Sequence, residues 1–373
     1  MSRLRRELAN APIPGEHEAR VRAWEVVSAA FAEREPTPWR RRHLRPLAAA
    51  AVAFAVVGAA FSPPGGAVLH SLRKAIGVEH AQRALFRLPA PGRLLVESAE
   101  GPWIVQADGS KRLLGPYRDA SWSPHGLFVA ATRRDELAAL EPGGDVHWTL
   151  SRRDVAFPRW TGSRTDTRIA YLTGSRLHVV GGDGRGDVDA GGLPAAARVA
   201  PAWRPGARRL IAYADTTGRV YSYDTDHGSL EWRSRPFPHP RLLTWSDDGA
   251  ILALLTSDRL VLFRGAQPSV IPLAGAVDAA FEPGSHELAV VRPAEVLLLD
   301  ADRPSVRPRL FAGAGPFAGA AWSPDGRWLL VAWPAADQWV FVRTAGPRRL
   351  EAVSNISTQF GGSFPQLAGW CCG

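Results

Sequence analysis

A short unit recurs through most of this chain: an aromatic residue, a tight turn and then an apolar run. Its clearest copy is AWSPDGRWLLVAW at residues 321–333. The SPDG tetrapeptide at 323–326 fits a type I turn, because Pro presets φ at the second position and Gly is favoured at the fourth. The run at 328–333 is apolar throughout and follows a turn signal, which indicates a strand buried on both faces. The unit therefore predicts two strands joined by a tight turn.

Copies of this unit follow one another at intervals of roughly 40 residues, which is the period of four-stranded propeller blades. Each copy opens with an aromatic anchor, and most are followed by a second hairpin signal, such as RVYSY at 219–223 and GSLEW at 228–232. The anchors, which we interpret as structural, are Trp122, Trp160, Trp203, Trp245, Phe281 and Trp322. The spacing predicts an all-β fold, a β-propeller of four-stranded blades.

The two ends of the repeat region complement each other. Residues 92–96 and 103–105 match the middle of a repeat that lacks its leading strand, whereas the C-terminal LAGWCC at 367–372 is a spare leading strand with its own anchor, Trp370. Pairing the two would close the ring and remove an exposed sheet edge. This gives a propeller of about seven blades over residues 91–373. Because the copy at Trp160 is degenerate, six or eight blades stay open.

These repeats resemble the TolB-like and WD40-like β-propeller repeats, whose signature is the Trp-Ser-Pro-Asp-Gly-Arg turn followed by an apolar strand. The resemblance covers roughly residues 90–373. It implies the fold, and a TolB-like relative would imply a periplasmic scaffold in envelope assembly. No repeat carries the Gly-His opening or the Trp-Asp pair of true WD40 repeats, so the resemblance does not imply the partners of eukaryotic WD40 proteins.

Residues 1–90 lack the repeat and contain one strongly apolar segment, 44–64, which predicts a transmembrane signal anchor. A signal peptide would need a much shorter preceding segment, and a buried helix would need neighbours to cover it. Basic residues flank only its N-terminal side, at Arg40, Arg41, Arg42 and Arg45. The positive-inside rule then predicts a cytoplasmic N-terminus and an extracytoplasmic propeller in a single-pass membrane protein.

Two further helices are predicted on either side of this anchor. In the cytoplasmic segment 1–42, an apolar stripe at helical spacing consists of Val21, Trp24, Val27 and Phe31. A single amphipathic helix has no core of its own, so it either lies on the inner membrane surface or binds a protein partner. Residues 65–90 predict a juxtamembrane helix and linker that lead into the propeller.

The formal charge of +9 does not by itself indicate nucleic-acid binding. The basic residues are 43 arginines and two lysines, Lys74 and Lys111, a skew that reflects genome composition, and no nucleic-acid recognition motif accompanies them. The only cysteines are the adjacent pair Cys371 and Cys372. They are either small buried residues of the closing strand, or else a strained vicinal disulfide or residues with a redox role.

A search for chemistry is mostly negative: the sequence has no nucleophile elbow, no zinc-ligand spacing and no phosphate-binding loop. We therefore expect no catalytic residues, no metal and no cofactor. The sequence favours a membrane-anchored propeller that acts as a protein-interaction or sensing module, with a possible signal to a cytoplasmic regulator. The alternatives are an envelope scaffold of TolB type and, less favoured, a hydrolase or lyase on the propeller face.

Overall fold

The computed structural model describes residues 87–372, except 164–165, 191–192, 207–208 and 305–307. The predicted cytoplasmic helix, the apolar segment 44–64 and most of the predicted linker lie outside these residues. Within them, the strands form seven antiparallel four-stranded sheets. The innermost strands of successive sheets contact each other around a complete ring, so the fold is a seven-bladed β-propeller. The all-β prediction and the blade count of seven are confirmed.

We letter the strands of each blade A to D from the innermost to the outermost. Blades 1 to 4 contain the following strands. Blade 1 has β1 (Arg93–Ser98), β2 (Gly101–Val105) and β3 (Lys111–Leu113); blade 2 has β4 (Arg118–Trp122), β5 (Val129–Arg133), β6 (Glu136–Leu140) and β7 (Val146–Ser151); blade 3 has β8 (Val155–Gly162), β9 (Thr167–Thr173), β10 (Arg176–Gly181) and β11 (Val188–Asp189); blade 4 has β12 (Ala202–Trp203), β13 (Leu210–Ala214), β14 (Arg219–Asp224) and β15 (Ser229–Pro236).

The remaining blades follow the same order. Blade 5 has β16 (Pro240–Trp245), β17 (Leu252–Thr256), β18 (Arg259–Arg264) and β19 (Gln267–Pro272); blade 6 has β20 (Asp278–Phe281), β21 (Glu287–Arg292), β22 (Glu295–Asp300) and β23 (Arg309–Ala312); blade 7 has β24 (Gly319–Trp322), β25 (Trp328–Trp333), β26 (Gln338–Arg343) and β27 (Leu350–Ser354). A 3₁₀ turn (Pro334–Ala336) and a short helix α1 (Ile356–Gln359) precede β28 (Gln366–Cys371), which is strand A of blade 1.

The C-terminal strand closes the ring, as the sequence predicts. Strand β28 pairs antiparallel with β1, and Trp370 lies opposite Leu94 in the register. The chain packs slightly upstream of the predicted boundary at residue 91, because Leu88 and Ala90 are already buried with the blade 1 core. The first blade is therefore made from both ends of the propeller, which leaves no inner strand unpaired.

The core lies between the blades. Strands B and C are the most buried; every residue of Leu252–Thr256 and of Trp328–Trp333 is buried, which agrees with their continuous apolar sequences. Strand D is the outer edge of each blade and is mostly exposed, as in Gln267–Pro272. Each blade packs one face against each neighbour, so an apolar residue on either face of strands B and C finds a partner.

Antiparallel connectivity gives the propeller two distinct faces. The turns between strands A and B and between C and D lie on one face, here called the AB face. The turns between B and C and the links from strand D to the next strand A lie on the opposite face, here called the DA face. The chain enters on the AB face, where the Leu88 amide donates to the carbonyl of Ala107 in the turn after β2 (2.9 Å). No helix of the described residues is long and apolar enough to cross a membrane.

Candidate functional site

The predicted anchors all lie on strand A, at or next to its AB end. Trp122 ends β4, Trp203 ends β12, Trp245 ends β16, Phe281 ends β20 and Trp322 ends β24, while Trp160 and Trp370 lie within β8 and β28. Five of these side chains are buried, and those of Trp122 and Phe281 are half-buried. The anchors are therefore spread around the ring, one to a blade, and do not come together in one site.

Three anchors bond to the preceding blade in the same way. The indole Nε1 of Trp322 donates to the carbonyl of Ala280, the residue before the previous anchor (2.9 Å). Trp203 donates to Arg159 (2.9 Å) and Trp245 donates to Ala202 (3.1 Å) in equivalent positions. The side chains thus fasten strand A of one blade to strand A of the one before it, which is a structural role.

The other anchors depart from this pattern. Phe281 has no donor, and the indole nitrogens of Trp122 and Trp160 are buried with no hydrogen-bond partner in the described part of the chain. Trp370, on the closing strand, donates instead to the carbonyl of Pro91 (3.1 Å) and so ties the two ends of the propeller together.

Two carboxylates near the central channel also join neighbouring blades. Glu97, at the DA end of β1, accepts a hydrogen bond from the amide of Ala120 on β4. Asp278, which begins β20, accepts from the amides of Ala320 (2.9 Å) and Ala279 (2.8 Å). Burial raises the pKa of both carboxyls, and the backbone hydrogen bonds partly oppose this rise. Each carboxylate is occupied in holding strand A of the next blade.

Charges from three blades meet at the DA end of the channel. The guanidinium of Arg159, on β8, lies within electrostatic range of Glu97 and Asp119, and burial lowers its pKa. Asp119 has a left-handed backbone (φ 49°) within a bulge of β4. Asp is one of the few residue types besides Gly that adopt this conformation readily. No motif in the sequence marks this cluster, because each member comes from a different blade.

Exposed arginines lie on the DA face of blades 2–5. At least one lies in, or within two residues of, the D-to-A link that leads into each of these blades. We call the following set the arginine arc: Arg118, Arg153, Arg198, Arg235 and Arg241. All five side chains belong to exposed residues. The links into blades 6, 7 and 1, at 273–277, 313–318 and 355–365, contain no Lys or Arg.

Aromatic rings support several guanidiniums on this face. Arg198 lies over the ring of Phe157 (5.9 Å) and Arg235 over that of Phe237 (5.0 Å). Arg198 is also ion-paired with Asp154 (3.2 Å), whereas Arg235 has no carboxylate partner among the residues that the structure describes. This part of the DA face therefore has the charge and the geometry for an acidic partner.

A cleft of about 370 Å³ opens on the AB face between blades 5 and 6. His286 crosses it: Nδ1 lies 2.8 Å from a carboxylate oxygen of Asp302, and Nε2 lies 3.0 Å from one of Asp248. Because both ring nitrogens face carboxylate oxygens, the arrangement favours the doubly protonated imidazolium form. The two carboxylates raise the pKa of His286, which in turn helps to lower the pKa of Asp302 and of Asp248.

This cleft holds two blades together through charge. Arg264 of blade 5 adds a second bond to Asp302 (2.7 Å), and the amide of Gly284 donates to Asp247 (3.0 Å). Among the described residues, no group of three or more His, Cys, Asp or Glu side chains has an arrangement that could hold a metal ion. His286, Asp248 and Asp302 are already paired with one another, so the cleft is best explained as an ion-paired contact between blades.

The cysteines form a disulfide between adjacent residues, Cys371 and Cys372. It lies half-buried at the AB end of the closing strand. The two sulfurs lie 4.0 and 3.9 Å from the carbonyl oxygens of Ser123 and Pro124, in the first turn of blade 2. Of the two alternatives from the sequence, the structure shows the vicinal disulfide.

Comparisons with known proteins agree at the level of the fold. No protein-family model matches the chain, and no curated protein matches it. Among solved structures, a KlHsv2 variant with loop 6CD replaced by a Gly-Ser linker has a TM-score of 0.51 and 13% identity, covering 70% of this chain and 93% of its own. A mitotic checkpoint complex chain has a TM-score of 0.52 and 14% identity, covering 63% of this chain and 76% of its own.

Proposed function

We propose that this chain is a single-pass membrane protein that presents its propeller outside the cytoplasm as a protein-interaction module. The observation that carries the proposal is the asymmetry of the propeller: its DA face has exposed arginines around the channel, whereas the chain enters on the AB face. The apolar segment 44–64, flanked by basic residues on its N-terminal side, supports the membrane anchor.

The point of entry distinguishes the two faces of the propeller. About 22 residues separate the end of the apolar segment from residue 87, and the described chain enters the propeller on the AB face, at Leu88. We expect a partner to bind the DA face, which carries the exposed arginines and which the chain does not enter. The half-buried carboxylates near the channel, Glu97 and Asp278, bind backbone amides, which supports a binding role over the hydrolase or lyase alternative.

The proposal includes a cytoplasmic arm. The apolar stripe of Val21, Trp24, Val27 and Phe31 would bind a cytoplasmic regulator, so that a partner at the propeller is reported across the membrane. The similarity of the mitotic checkpoint complex chain is a likeness of fold and does not identify such a partner. An envelope scaffold of TolB type would need the propeller and the anchor but not this stripe.

Two measurements test the proposal. Protease protection of sealed membrane vesicles, with tags after residue 2 and after residue 372, should show the two ends on opposite sides; both tags on one side would overturn the topology. Crosslinking in native membranes should then be compared between the full chain, a form lacking residues 1–39 and the full chain with Trp24→Asp. A cytoplasmic protein captured only by the unaltered chain supports signalling, whereas identical capture by all three forms supports the scaffold.

A further inference from the structure

We infer that the arginine arc is the docking surface for an acidic, extended segment of a protein partner. The inference rests on the proposed function and specifies the partner's chemistry. It comes from the way in which the repeat places charge: the D-to-A links surround the mouth of the channel, and four consecutive links carry arginine in or beside them while the other three carry none.

The arc follows the curve of the ring through four blades. Arg118 is the first residue of β4, Arg153 lies just before β8, and Arg198 lies in the link to β12. Arg235 and Arg241 flank the link to β16. Inner strands of adjacent blades contact one another, so Arg118, Arg153, Arg198 and Arg241, on or before inner strands, follow one half of the ring. Arg235 lies farther out, near the end of the outer strand β15.

Three of these arginines lack an internal partner. Arg118, Arg153 and Arg241 are exposed, and none makes an ion pair with any other residue that the structure describes. A guanidinium binds a carboxylate through two parallel hydrogen bonds, and it is more weakly hydrated than an ammonium group. Elsewhere in the molecule exposed arginines are often paired, as Arg264 is with Asp302 (2.7 Å) and Arg176 with Asp189 (2.7 Å).

The distribution of negative charge favours a peptide over a polyanion. Asp119 directly follows Arg118, and Asp154 directly follows Arg153. A nucleic-acid backbone, with a charge at every phosphate, would meet these carboxylates as well as the arginines. A peptide with separate Asp or Glu side chains can pair with the arginines that have no partner and place small residues beside Asp119 and beside Asp154, which is itself paired with Arg198 (3.2 Å).

The aromatic residues point the same way. Proteins that bind single-stranded nucleic acid offer exposed rings on which bases stack. Here Phe237 is buried and Phe157 is half-buried, and each has a guanidinium over its ring. Because each of these two rings already has a guanidinium over it, neither is available for stacking with a base. The observations therefore favour an acidic protein segment.

The test uses the full chain in lipid nanodiscs of zwitterionic lipid and a fluorescent 20-residue peptide of Glu, Gly and Ser as the probe. Fluorescence anisotropy gives its Kd. The arc variant is Arg118→Glu, Arg153→Glu and Arg241→Glu together. The matched control, Arg185→Glu, Arg327→Glu and Arg348→Glu, makes the same change of charge with exposed arginines of the AB face. Circular dichroism and thermal unfolding verify that both variants fold.

We expect the arc variant to weaken peptide binding at least tenfold and the control to change it less than threefold. Equal weakening by both variants, or none by either, would overturn the inference, as would failure of the unaltered chain to bind the peptide. Tighter binding of a 20-nucleotide single strand, or of anionic vesicles, that the arc variant alone abolishes would also overturn it in favour of another polyanion. None of these outcomes depends on the membrane topology or on partner capture. The proposed function is therefore tested separately from this inference.

Discussion

On the AB face the turns bond to themselves and to the next blade, whereas on the DA face the arginines of blades 2–5 are left exposed. In the turn that opens blade 7, Ser323 donates to Asp325 (2.6 Å). Arg93 and Arg204 reach across to the carbonyls of Gly126 and Gly249 in neighbouring turns, each at 2.7 Å. The repeat signature thus builds the AB face. Residues that vary between repeats build the DA face.

This difference separates structural residues from candidate binding residues. A residue that recurs at one position in every blade is required by the fold of the blade. A residue found in only some links, such as the arginines of blades 2–5, is not required by the fold of the blade. The comparison predicts that substitutions on the AB face change stability and that substitutions on the DA face change binding.

Loss of an anchor should have the largest effect on stability. Trp322→Ala removes a nearly fully buried indole and is expected to cost about 3–5 kcal/mol of unfolding free energy. Trp322→Phe keeps most of the packing and loses the bond to Ala280, so we expect a cost of about 1–2 kcal/mol. Urea unfolding followed by circular dichroism measures both. Arg153→Ala on the DA face should stay within about 0.5 kcal/mol; a cost similar to that of Trp322→Phe would contradict the division between the faces.

The turn serines should come next. The hydroxyl of Ser323 is fully buried, accepts a hydrogen bond from the amide of Trp328 (3.0 Å) and donates to Asp325. Ser323→Ala leaves that amide without a partner and is expected to cost about 1–2 kcal/mol. Ser175→Ala, in an exposed turn of the DA face, is the control and should be nearly neutral. Thermal unfolding of the two variants compares them, and equal melting temperatures would show that the buried hydroxyl is dispensable.

The His286 contact should make stability depend on pH. Its pKa is raised above the usual 6.5, so its contribution is fully present below pH 6.5 and is lost as pH rises through the higher folded value. The pKa of Asp302 is lowered from 3.8, so its contribution is present above that pH and is lost as pH falls through the lower value. The contact is therefore strongest between about pH 4 and 6.5.

His286→Gln tests this dependence. Between pH 6 and 9, the melting temperature of the unaltered chain should fall, and that of the variant should fall less, because Gln carries no titrating proton. NMR of the imidazole protons gives the pKa of His286 directly. A pKa at or below 6.5 would contradict the charged contact, as would parallel pH profiles of the two proteins.

Much of the fold could be predicted from the sequence, because the blade is a local unit. The SPDG turn and the apolar run after it lie within 13 residues. Ring closure follows from the observation that the first repeat lacks its leading strand and that the C-terminus has an extra one. The channel cluster could not be predicted in this way. Glu97, Asp119 and Arg159 meet only after three blades are placed around the ring, and no spacing along the chain encodes their distances.

The arginine arc falls between these cases. Once the repeats are aligned, the sequence alone shows Arg118, Arg153, Arg198 and Arg235 in or near the D-to-A links. Repeat alignment identifies residues that recur in every blade, such as the anchors. The arginines of the arc do not recur in every blade, so the alignment does not mark them. The sequence does not show which arginines are exposed and without an ion pair. Arg176 and Arg264 look similar in sequence, but the structure shows that both are paired.

Reduction of the disulfide should have the smallest effect. Cys371 and Cys372 are adjacent, so their bond closes no chain loop, and the restriction of the unfolded chain that usually gives a disulfide its stabilising effect is minimal. The closing strand is held instead by its pairing with β1 and by the bond from Trp370 to Pro91.

We therefore expect Cys371→Ser with Cys372→Ser to change stability by less than about 1 kcal/mol, and Trp370→Ala to cost about 3–5 kcal/mol. Thermal unfolding with and without dithiothreitol gives the same comparison without substitution. A loss on reduction as large as that of Trp370→Ala would show that the disulfide holds the closing strand. The AB face would then contain a redox-dependent contact at the ends of the ring, and its role would no longer be purely structural.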